Sequence, residues 1–248
     1  MMKKKLCLMV LIFVLLAMML PVCVTARAGG GGSGGGGGGF SGGHSSSYSR
    51  RTYGSRRSSV FSTILSGGIF LIVGGGGSAL LVLRLRRSRK KSQAKMYEAA
   101  KFDTMWEYDK ALEQIQQAFY CIQQAWTQGD VSIAKTYLSD ALYKEYESKL
   151  SWMEMRGEQN ILEQMNLLEV SPIGVHDDWD NSRDYLWCMI RASMIDYTIR
   201  KTDFQVISGT PGVSQTFTEY WQFVRKDGHW VLNQILQKEE WGKVPLDG

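Results

Sequence analysis

Apolar and polar residues alternate along residues 214–237, and Asp227-Gly228 interrupts the alternation. Asp-Gly between two strand-like runs favours a two-residue type I′ turn, because that turn needs positive φ at both central residues. The predicted β-hairpin pairs Phe223 with Leu232 and Trp221 with Gln234. Paired residues share a face, so one face is heavily aromatic and the other is partly apolar. The first face collects Phe217, Trp221, Phe223, Trp230, Leu232 and Leu236, and the second collects Tyr220, Val224, Val231 and Ile235.

A helical period precedes the hairpin. Apolar residues recur at spacings of three and four from Leu112 to Trp126, which predicts a helix, and Thr104 and Glu107 before it have the spacing of a capping box. A short second helix and a third helix follow. The residues predicted to bound these helices are Gly129 at the end of the first, Asp130 and Ser139 at the starts of the next two, and Gly157 near the last stop.

The chain between the helices and the hairpin is predicted to be extended. Asn160–Val175 indicates a strand, residues 177–181 a polar turn, and Thr202–Gly212 a loop or weak strand. Tyr185–Tyr197 alternates as a strand does. Its predicted apolar face comprises Leu186, Cys188, Ile190, Ala192 and Met194. Helices followed by an antiparallel meander indicate the α+β class, with the helices on one face of a curved sheet.

The N-terminal part of the chain is predicted to direct the protein to a membrane. Three lysines, an apolar run and an Ala-Arg-Ala site predict a signal peptide over residues 1–28, with an uncleaved anchor helix as the alternative. Residues 29–59 form a low-complexity Gly/Ser-rich segment that we expect to be disordered. Val60–Leu83 holds no charged residue, and about 36 Å of helix is long enough to span a bilayer. This segment is therefore the predicted transmembrane helix.

A basic cluster follows the predicted span, in a juxtamembrane segment over residues 84–96. Its members are Arg84, Arg86, Arg87, Arg89, Lys90 and Lys91. The positive-inside rule places this cluster and the rest of the chain in the cytoplasm of a single-pass cell-membrane protein. The cluster also suits anionic lipid headgroups.

The charge distribution argues against nucleic-acid binding by the folded part. All 24 acidic residues follow residue 94, where only 15 of the 29 Lys and Arg lie, so residues 95–248 carry a formal net charge of −9. Phosphate contacts require clustered Lys and Arg. The four Cys are scattered without CxxC spacing, and the residues predict no cofactor and no metal site.

The motifs of residues 97–241 resemble a known family. The runs F-Y-C-I-Q-Q-A-W-x-x-G-D from Phe119, L-S-D-A-L-Y-K-E-Y from Leu138, N-I-L-E from Asn160 and E-Y-W-Q-F-V-R from Glu219 look like a Tim-type domain. That domain is the C-terminal part of the scaffold subunit that ties the import motor to the mitochondrial inner-membrane translocase. Bacterial proteins with this domain share the layout of signal peptide, Gly-rich stretch and membrane helix. This chain lacks the charged, motor-binding region, which argues against an import-motor role.

The resemblance implies a nuclear-transport-factor-2-like cone over residues 97–241, in which three helices and a bent sheet enclose a pocket, followed by a tail over residues 242–248. It implies a non-enzymatic scaffold that binds a polypeptide segment or lipid at the membrane, with no catalytic residues to carry over. The partners expected are membrane lipid and another protein, not nucleic acid. The residues expected to line the pocket are Trp126, Tyr137, Trp187, Trp221 and Phe223.

An enzyme remains the alternative. Cone folds of this kind can place an acid and a Tyr inside the pocket for proton abstraction. Asp196-Tyr197 and Glu219-Tyr220 are the candidate pairs. The alternative function is that of a small-molecule-binding or isomerase-like protein that uses the cone pocket.

Overall fold

The structure is a computed structural model that describes Ala28 and residues 60–247, with side chains from Leu80 onward. The predicted signal peptide, apart from Ala28, and the predicted Gly/Ser-rich segment lie outside the described residues. The helices are α1 (Val60–Ala99), α2 (Tyr108–Gln128) and α3 (Asp140–Met155), with 3-10 helices at Thr104–Trp106, Val131–Tyr137 and Lys238–Lys243. The strands are β1 (Glu158–His176), β2 (Tyr185–Arg200), β3 (Val206–Lys226) and β4 (His229–Gln237).

Helix α1 contains both the predicted membrane span and the predicted basic segment. It is one uninterrupted helix of 40 residues. The side chains of residues 60–79 lie outside the described part. Within the described part of the chain, no helix meets the length and apolarity needed to cross a membrane.

The α+β class is confirmed. The four strands form one antiparallel sheet in the order β1-β2-β3-β4, and helices pack on it. The predicted hairpin is β3-β4, and Asp227 and Gly228 have φ of 49° and 75°, the positive values that the predicted turn requires. Residues 206–212, predicted as a loop or weak strand, form the start of β3 and pair in part with β2.

The predicted hairpin register holds near the turn and fails beyond it. Phe223 pairs with Leu232 as expected, but a bulge follows, and Trp221 pairs with Ile235 rather than with Gln234. One extra residue on β4 moves every later side chain of that strand to the other face. Ile235 therefore joins the face that carries Trp221, and Leu236 joins the face that carries Tyr220, the reverse of the predicted faces.

Two apolar clusters lie on the two faces of the sheet. The larger cluster contains Trp221 and Phe223 from the hairpin, residues from α2 and α3, and all five residues predicted for one face of β2. The smaller cluster contains Trp187, Tyr220 and Leu236, together with Val244 from the segment that follows β4. Both faces are covered, which explains why the strands carry few charged residues in their central parts.

The predicted caps at 129, 130 and 139 are confirmed. Gly129 ends α2 with φ of 70°, a left-handed conformation that glycine adopts at little cost. Asp130 and Ser139 accept hydrogen bonds from backbone N–H groups of the helices that follow them. The capping box predicted at Thr104 and Glu107 is wrong. Asp103 caps the 3-10 turn at 104–106, and α2 begins only at Tyr108.

Residues outside the predicted domain limits of 97 and 241 also pack on the sheet. Ser88 and Ser92, within the basic segment, have no exposed surface, and Val244 and Leu246 pack in the smaller cluster. Asp247 joins these two ends. Its carboxylate accepts hydrogen bonds from Ser92 Oγ at 2.7 Å, Lys95 Nζ at 2.5 Å and the Val175 N–H at 2.9 Å. The end of α1 is thereby fixed to β1.

Candidate functional site

The residues predicted to line the pocket divide between the two faces of the sheet. Trp126, Trp221 and Phe223 lie in the larger cluster, and Tyr137 packs against its margin. Ring centroids separate Trp221 from Phe223 by 6.2 Å. Trp187 lies on the opposite face, in the smaller cluster. Side chains alternate between the two faces along a strand, and the residues on either side of Trp187 in β2 point into the larger cluster. The structure therefore brings four of the five residues to one side.

The interior beside Trp221 is polar as well as aromatic. Glu219 is fully buried and accepts hydrogen bonds from Trp221 Nε1 at 2.9 Å and from Gln237 Nε2 at 3.4 Å. Burial, and then the negative charge of Glu219, raises the pKa of Tyr146. A buried carboxyl group on β3 and a buried phenol on α3 therefore lie near each other where the helices pack on the sheet.

Gln123 is the residue of this interior that sequence reasoning missed. It is fully buried on α2, and neither its amide nitrogen nor its amide oxygen has a hydrogen-bond partner. On the same helix, Phe119 contacts Trp221, and Trp126 contacts Tyr146 at a centroid distance of 5.2 Å. Gln123 thus lies one turn from each contact. A polar residue in an otherwise apolar helical stripe is the pattern that would have identified it.

The acid-Tyr pairs proposed for catalysis do not converge. Asp196 is buried and accepts a hydrogen bond from Asn160 Nδ2 at 2.8 Å, whereas the Tyr197 hydroxyl donates to Glu163 on an exposed part of β1. Glu219 faces the larger cluster and Tyr220 the smaller one. Adjacent strand residues point to opposite faces, so neither pair shares a site.

The basic cluster lies on α1, and one of its six residues forms an ion pair with the sheet. Arg84, Arg86, Arg87, Lys90 and Lys91 are exposed. Arg89 is half-buried and forms an ion pair with Glu169 at 2.6 Å. Five of the six charges therefore face solvent. The helical spacing that places Ser88 and Ser92 against the sheet turns Arg84 and Arg87 towards the segment after β4.

A groove of about 520 Å³ lies between Arg84 and Arg87 of α1 and the segment after β4. Its remaining walls are Trp241, Gly242, Val244 and Leu246. A second groove, of about 540 Å³, lies where α1 ends, and its lining includes Phe102, Val175 and His176. The Phe102 side chain is 93% exposed. The first groove combines two guanidinium groups with an apolar floor, and the second has an exposed aromatic rim.

An electrostatic cluster fixes the chain between α1 and α2 to the hairpin. Arg225 donates hydrogen bonds to Asp103 and, at 3.1 Å, to Asp184. Burial alone would raise the pKa of Asp103, but the Arg225 hydrogen bond, the Met105 N–H and the Arg225 charge together lower it. Burial, and then the charge of Asp184, raises the pKa of Asp177. The acidic residues near the turn between β1 and β2 thus have a structural role in this cluster.

Among the described residues, the remaining reactive side chains show no arrangement for catalysis or metal binding. Cys188 is buried, and burial raises the pKa of its thiol, while Cys121 is half-buried on α2. His176 stacks on Tyr185 at a centroid distance of 5.1 Å. In the part of the chain that the structure describes, no three His, Cys, Asp or Glu side chains cluster as metal ligands would.

The described residues form an α+β domain with a long helix docked on its sheet. The model of the Tim44-like domain family matches residues 92–237, more than half of the chain. The chain belongs to this family, which confirms the resemblance and indicates a scaffold or binding role at membranes.

Several solved structures resemble about half of the chain. The intermembrane-space region of the chloroplast protein ARC6 is 10% identical over 50% of this chain and 94% of its own, with a TM-score of 0.36. RPA3114, a SEC-C motif containing protein from Rhodopseudomonas palustris, is 16% identical over 46% of this chain and 70% of its own, with a TM-score of 0.24. A putative polyketide cyclase from Xanthomonas campestris is 12% identical over 52% of this chain and 94% of its own, with a TM-score of 0.26. No curated protein matches the chain.

Proposed function

We propose that this protein is a single-pass membrane protein with a non-enzymatic, cytoplasmic scaffold domain. The domain adopts the nuclear-transport-factor-2-like cone and binds a polypeptide segment or lipid at the membrane surface. One observation carries the proposal. Helix α1 runs without interruption from the predicted span to the residues that dock on the sheet.

Polar contacts fix α1 to the folded domain. Ser92 and Lys95 bind Asp247, and Arg89 pairs with Glu169. A helix fixed in this way holds the domain close to the bilayer, with the exposed basic residues of α1 at the membrane surface. Each such residue contributes about 1 kcal/mol of attraction to an anionic leaflet.

The polypeptide version of the proposal would use the groove where α1 ends. Phe102 lines this groove and is almost fully exposed. Trp179, in the turn between β1 and β2, is also 91% exposed. Exposed aromatic residues are enriched among the anchors of protein interfaces. A partner segment with apolar side chains suits this surface.

Topology is tested with single added cysteines in the full chain. Ser182→Cys, in the exposed turn between β1 and β2, reports on the domain, and Ser45→Cys reports on the Gly/Ser-rich segment. An impermeant maleimide applied to intact cells should label the added cysteine at 45 and spare the one at 182 until the cells are lysed. The parent chain with its native cysteines gives the baseline. Labelling at 182 in intact cells would exclude a cytoplasmic domain, and release of the chain by alkaline carbonate would exclude the span.

The small-molecule or isomerase-like alternative would rest on the buried interior. Glu219 on β3, Tyr146 on α3 and the unpartnered amide of Gln123 on α2 together supply an acid, a phenol and an amide to this interior. Substitution of Glu219 by Gln keeps its size and removes its charge. If capture of a small-molecule ligand by the domain is unchanged in this variant, the catalytic alternative fails.

A further inference from the structure

A third groove lies beside the turn of the β3-β4 hairpin. This hairpin groove has a volume of about 470 Å³, and it lies between residues 135–144 and residues 226–231 of the hairpin. Helix α1 packs against β1, whereas β4 is the strand at the other edge of the sheet. The hairpin groove is therefore separate from the basic cluster of α1 and from the two grooves beside that helix.

Three lysines from three different elements line the hairpin groove. Lys135 comes from the 3-10 helix before α3, Lys144 from α3, and Lys226 from the end of β3. Two carboxylates, Asp140 and Asp227, also line it, so these five groups carry a formal charge of +1. The rest of the domain is acidic, since residues 95–248 together carry a formal net charge of −9. A positive site on an acidic domain attracts anionic partners.

The hairpin groove already pairs with a carboxylate of its own chain. Lys226 Nζ donates a hydrogen bond to Asp140 Oδ1 at 2.6 Å. That hydrogen bond and the charge of Lys226 lower the pKa of Asp140, and the charges of Lys144 and Lys135 lower it further. Lys135 and Lys144 are exposed, and neither forms an ion pair with a described residue. Two ammonium groups are therefore available to the carboxylates of a partner.

The hairpin groove also has apolar walls. Leu138, Val231 and the half-buried Tyr143 line it. Ammonium groups act as point charges and lack the planar fork with which arginine binds phosphate. Lysines that are spread over three elements beside apolar side chains suit several carboxylates along a chain better than one phosphate group. The groove has room for a few side chains of such a segment and is too small for a folded domain.

We propose that the hairpin groove binds an acidic polypeptide segment of a partner protein, with its carboxylates on Lys135 and Lys144 and an apolar side chain against Tyr143 and Val231. This deepens the proposed scaffold function and rests on it, because it gives the polypeptide partner a site and a charge. The groove lies away from α1, so the partner and the docked helix do not compete for the same surface.

The test uses the full chain in a neutral maltoside detergent. The probe is a short fluorescein-labelled peptide in which Glu and Leu residues are separated by Gly, and its binding is measured by fluorescence anisotropy. A peptide with Gln in place of Glu tests the charge, and a peptide with Ser in place of Leu tests the apolar contact. Inorganic phosphate and ATP are added as competitors, because they would displace the peptide if the groove were a phosphate site.

Two charge-matched double variants locate the binding. Lys135→Gln with Lys144→Gln removes two groove lysines, and Lys110→Gln with Lys149→Gln removes two exposed lysines that do not line the groove. We expect the first pair to weaken binding of the Glu peptide roughly tenfold, the effect of losing two exposed ion pairs. The second pair should weaken it by less than about twofold, because charges outside the groove are screened. Lys135→Arg with Lys144→Arg keeps both charges and should bind nearly as well as the parent chain, and the melting temperature of each variant checks that it is folded.

Each result decides the proposal. Loss confined to the groove pair, together with weaker binding of the Gln and Ser peptides, supports it. Equal losses in both pairs would reduce the effect to diffuse attraction and overturn it, as would equal binding of the Gln or the Ser peptide, or no saturable binding of the Glu peptide below about 1 mM. Displacement of the peptide by phosphate or ATP would overturn the assignment to a polypeptide.

The topology test is independent of this assay. Labelling of the added cysteine at 182 in intact cells would refute the cytoplasmic placement of the domain, and the peptide assay would still decide whether the hairpin groove binds acidic segments. Failure of the peptide assay would remove this site and leave the membrane-anchored scaffold to be tested by labelling and by carbonate.

Discussion

Asp247 provides the sharpest test of how α1 is held. Its carboxylate side chain is 9% exposed and contacts the Ser92 hydroxyl, the Lys95 ammonium and the Val175 N–H. Asp247→Ala leaves the Ser92 hydroxyl and the Val175 N–H without these partners. Each unsatisfied buried group costs about 1–3 kcal/mol. The Lys95 side chain is 54% exposed, so its loss adds only about 0.2–1 kcal/mol.

The expected cost of Asp247→Ala is therefore about 2–7 kcal/mol, confined to the docking of α1. Hydrogen exchange measured by mass spectrometry localises the effect. Peptides that cover 84–99 and 173–176 should lose protection roughly 30-fold or more, while peptides from the centres of β2 and β3 should not change. Asp247→Asn keeps the size and loses the charge, so its effect should be intermediate.

Glu98→Ala is the matched control. Glu98 is also acidic and lies on α1, and both side chains of its ion pair with Lys101 are exposed. It should change protection by less than about threefold. If Asp247→Ala and Glu98→Ala behave alike across 84–99, then the Asp247 contacts do not hold the helix, and the reasoning is refuted.

Three further predictions concern the folded domain. Gly129→Ala should lower the free energy of unfolding by about 1 kcal/mol through its positive φ, whereas Gly242→Ala, which lacks positive φ, should have little effect in the same thermal melts. Gln123→Met removes the unpartnered amide and should raise stability by about 1–3 kcal/mol in denaturant unfolding, and a loss instead would mean that buried water satisfies the amide. The pKa of Asp103 is lower in the folded protein than in the unfolded chain, where it is near 3.8. Ionised Asp103 therefore stabilises the fold above about pH 3.8, and this stability is lost as the pH falls through the pKa of the folded state. Arg225→Gln should therefore flatten the loss of stability below about pH 4, and an unchanged pH profile would show that the pair is not formed.

Much of the secondary structure follows from the chain alone because its cues are local. Asp227-Gly228 dictates its turn through backbone sterics, and Gly129 and Ser139 set helix ends through single-residue conformations and hydrogen bonds. The alternation of β2 assigns its buried face because side chains on a strand alternate with period two. The order of helices and strands is enough to predict the α+β class.

The candidate site depended on contacts between distant parts of the chain. The bulge on β4 exchanges the faces of Ile235 and Leu236. No residue type at that point of the sequence indicates a bulge. Trp187 was expected beside Trp221, but pairing with β1 and β3 places it in the smaller cluster on the opposite face. Gln123 is significant only because the rings around it leave its amide without a partner.

The sequence by itself determined most of the elements, the caps at 129, 130 and 139, the turn and the separation of a basic N-terminal part from an acidic domain. Each of these depends on neighbours within a few residues or on composition. Only the tertiary structure decided that residues 84–99 and 238–247 pack on the sheet. That packing depends on Asp247 meeting Ser92 and Val175, contacts that span 155 and 72 residues of sequence. Long-range contacts of this kind leave no periodic trace, and they build the groove that brings Arg84 and Arg87 beside Trp241.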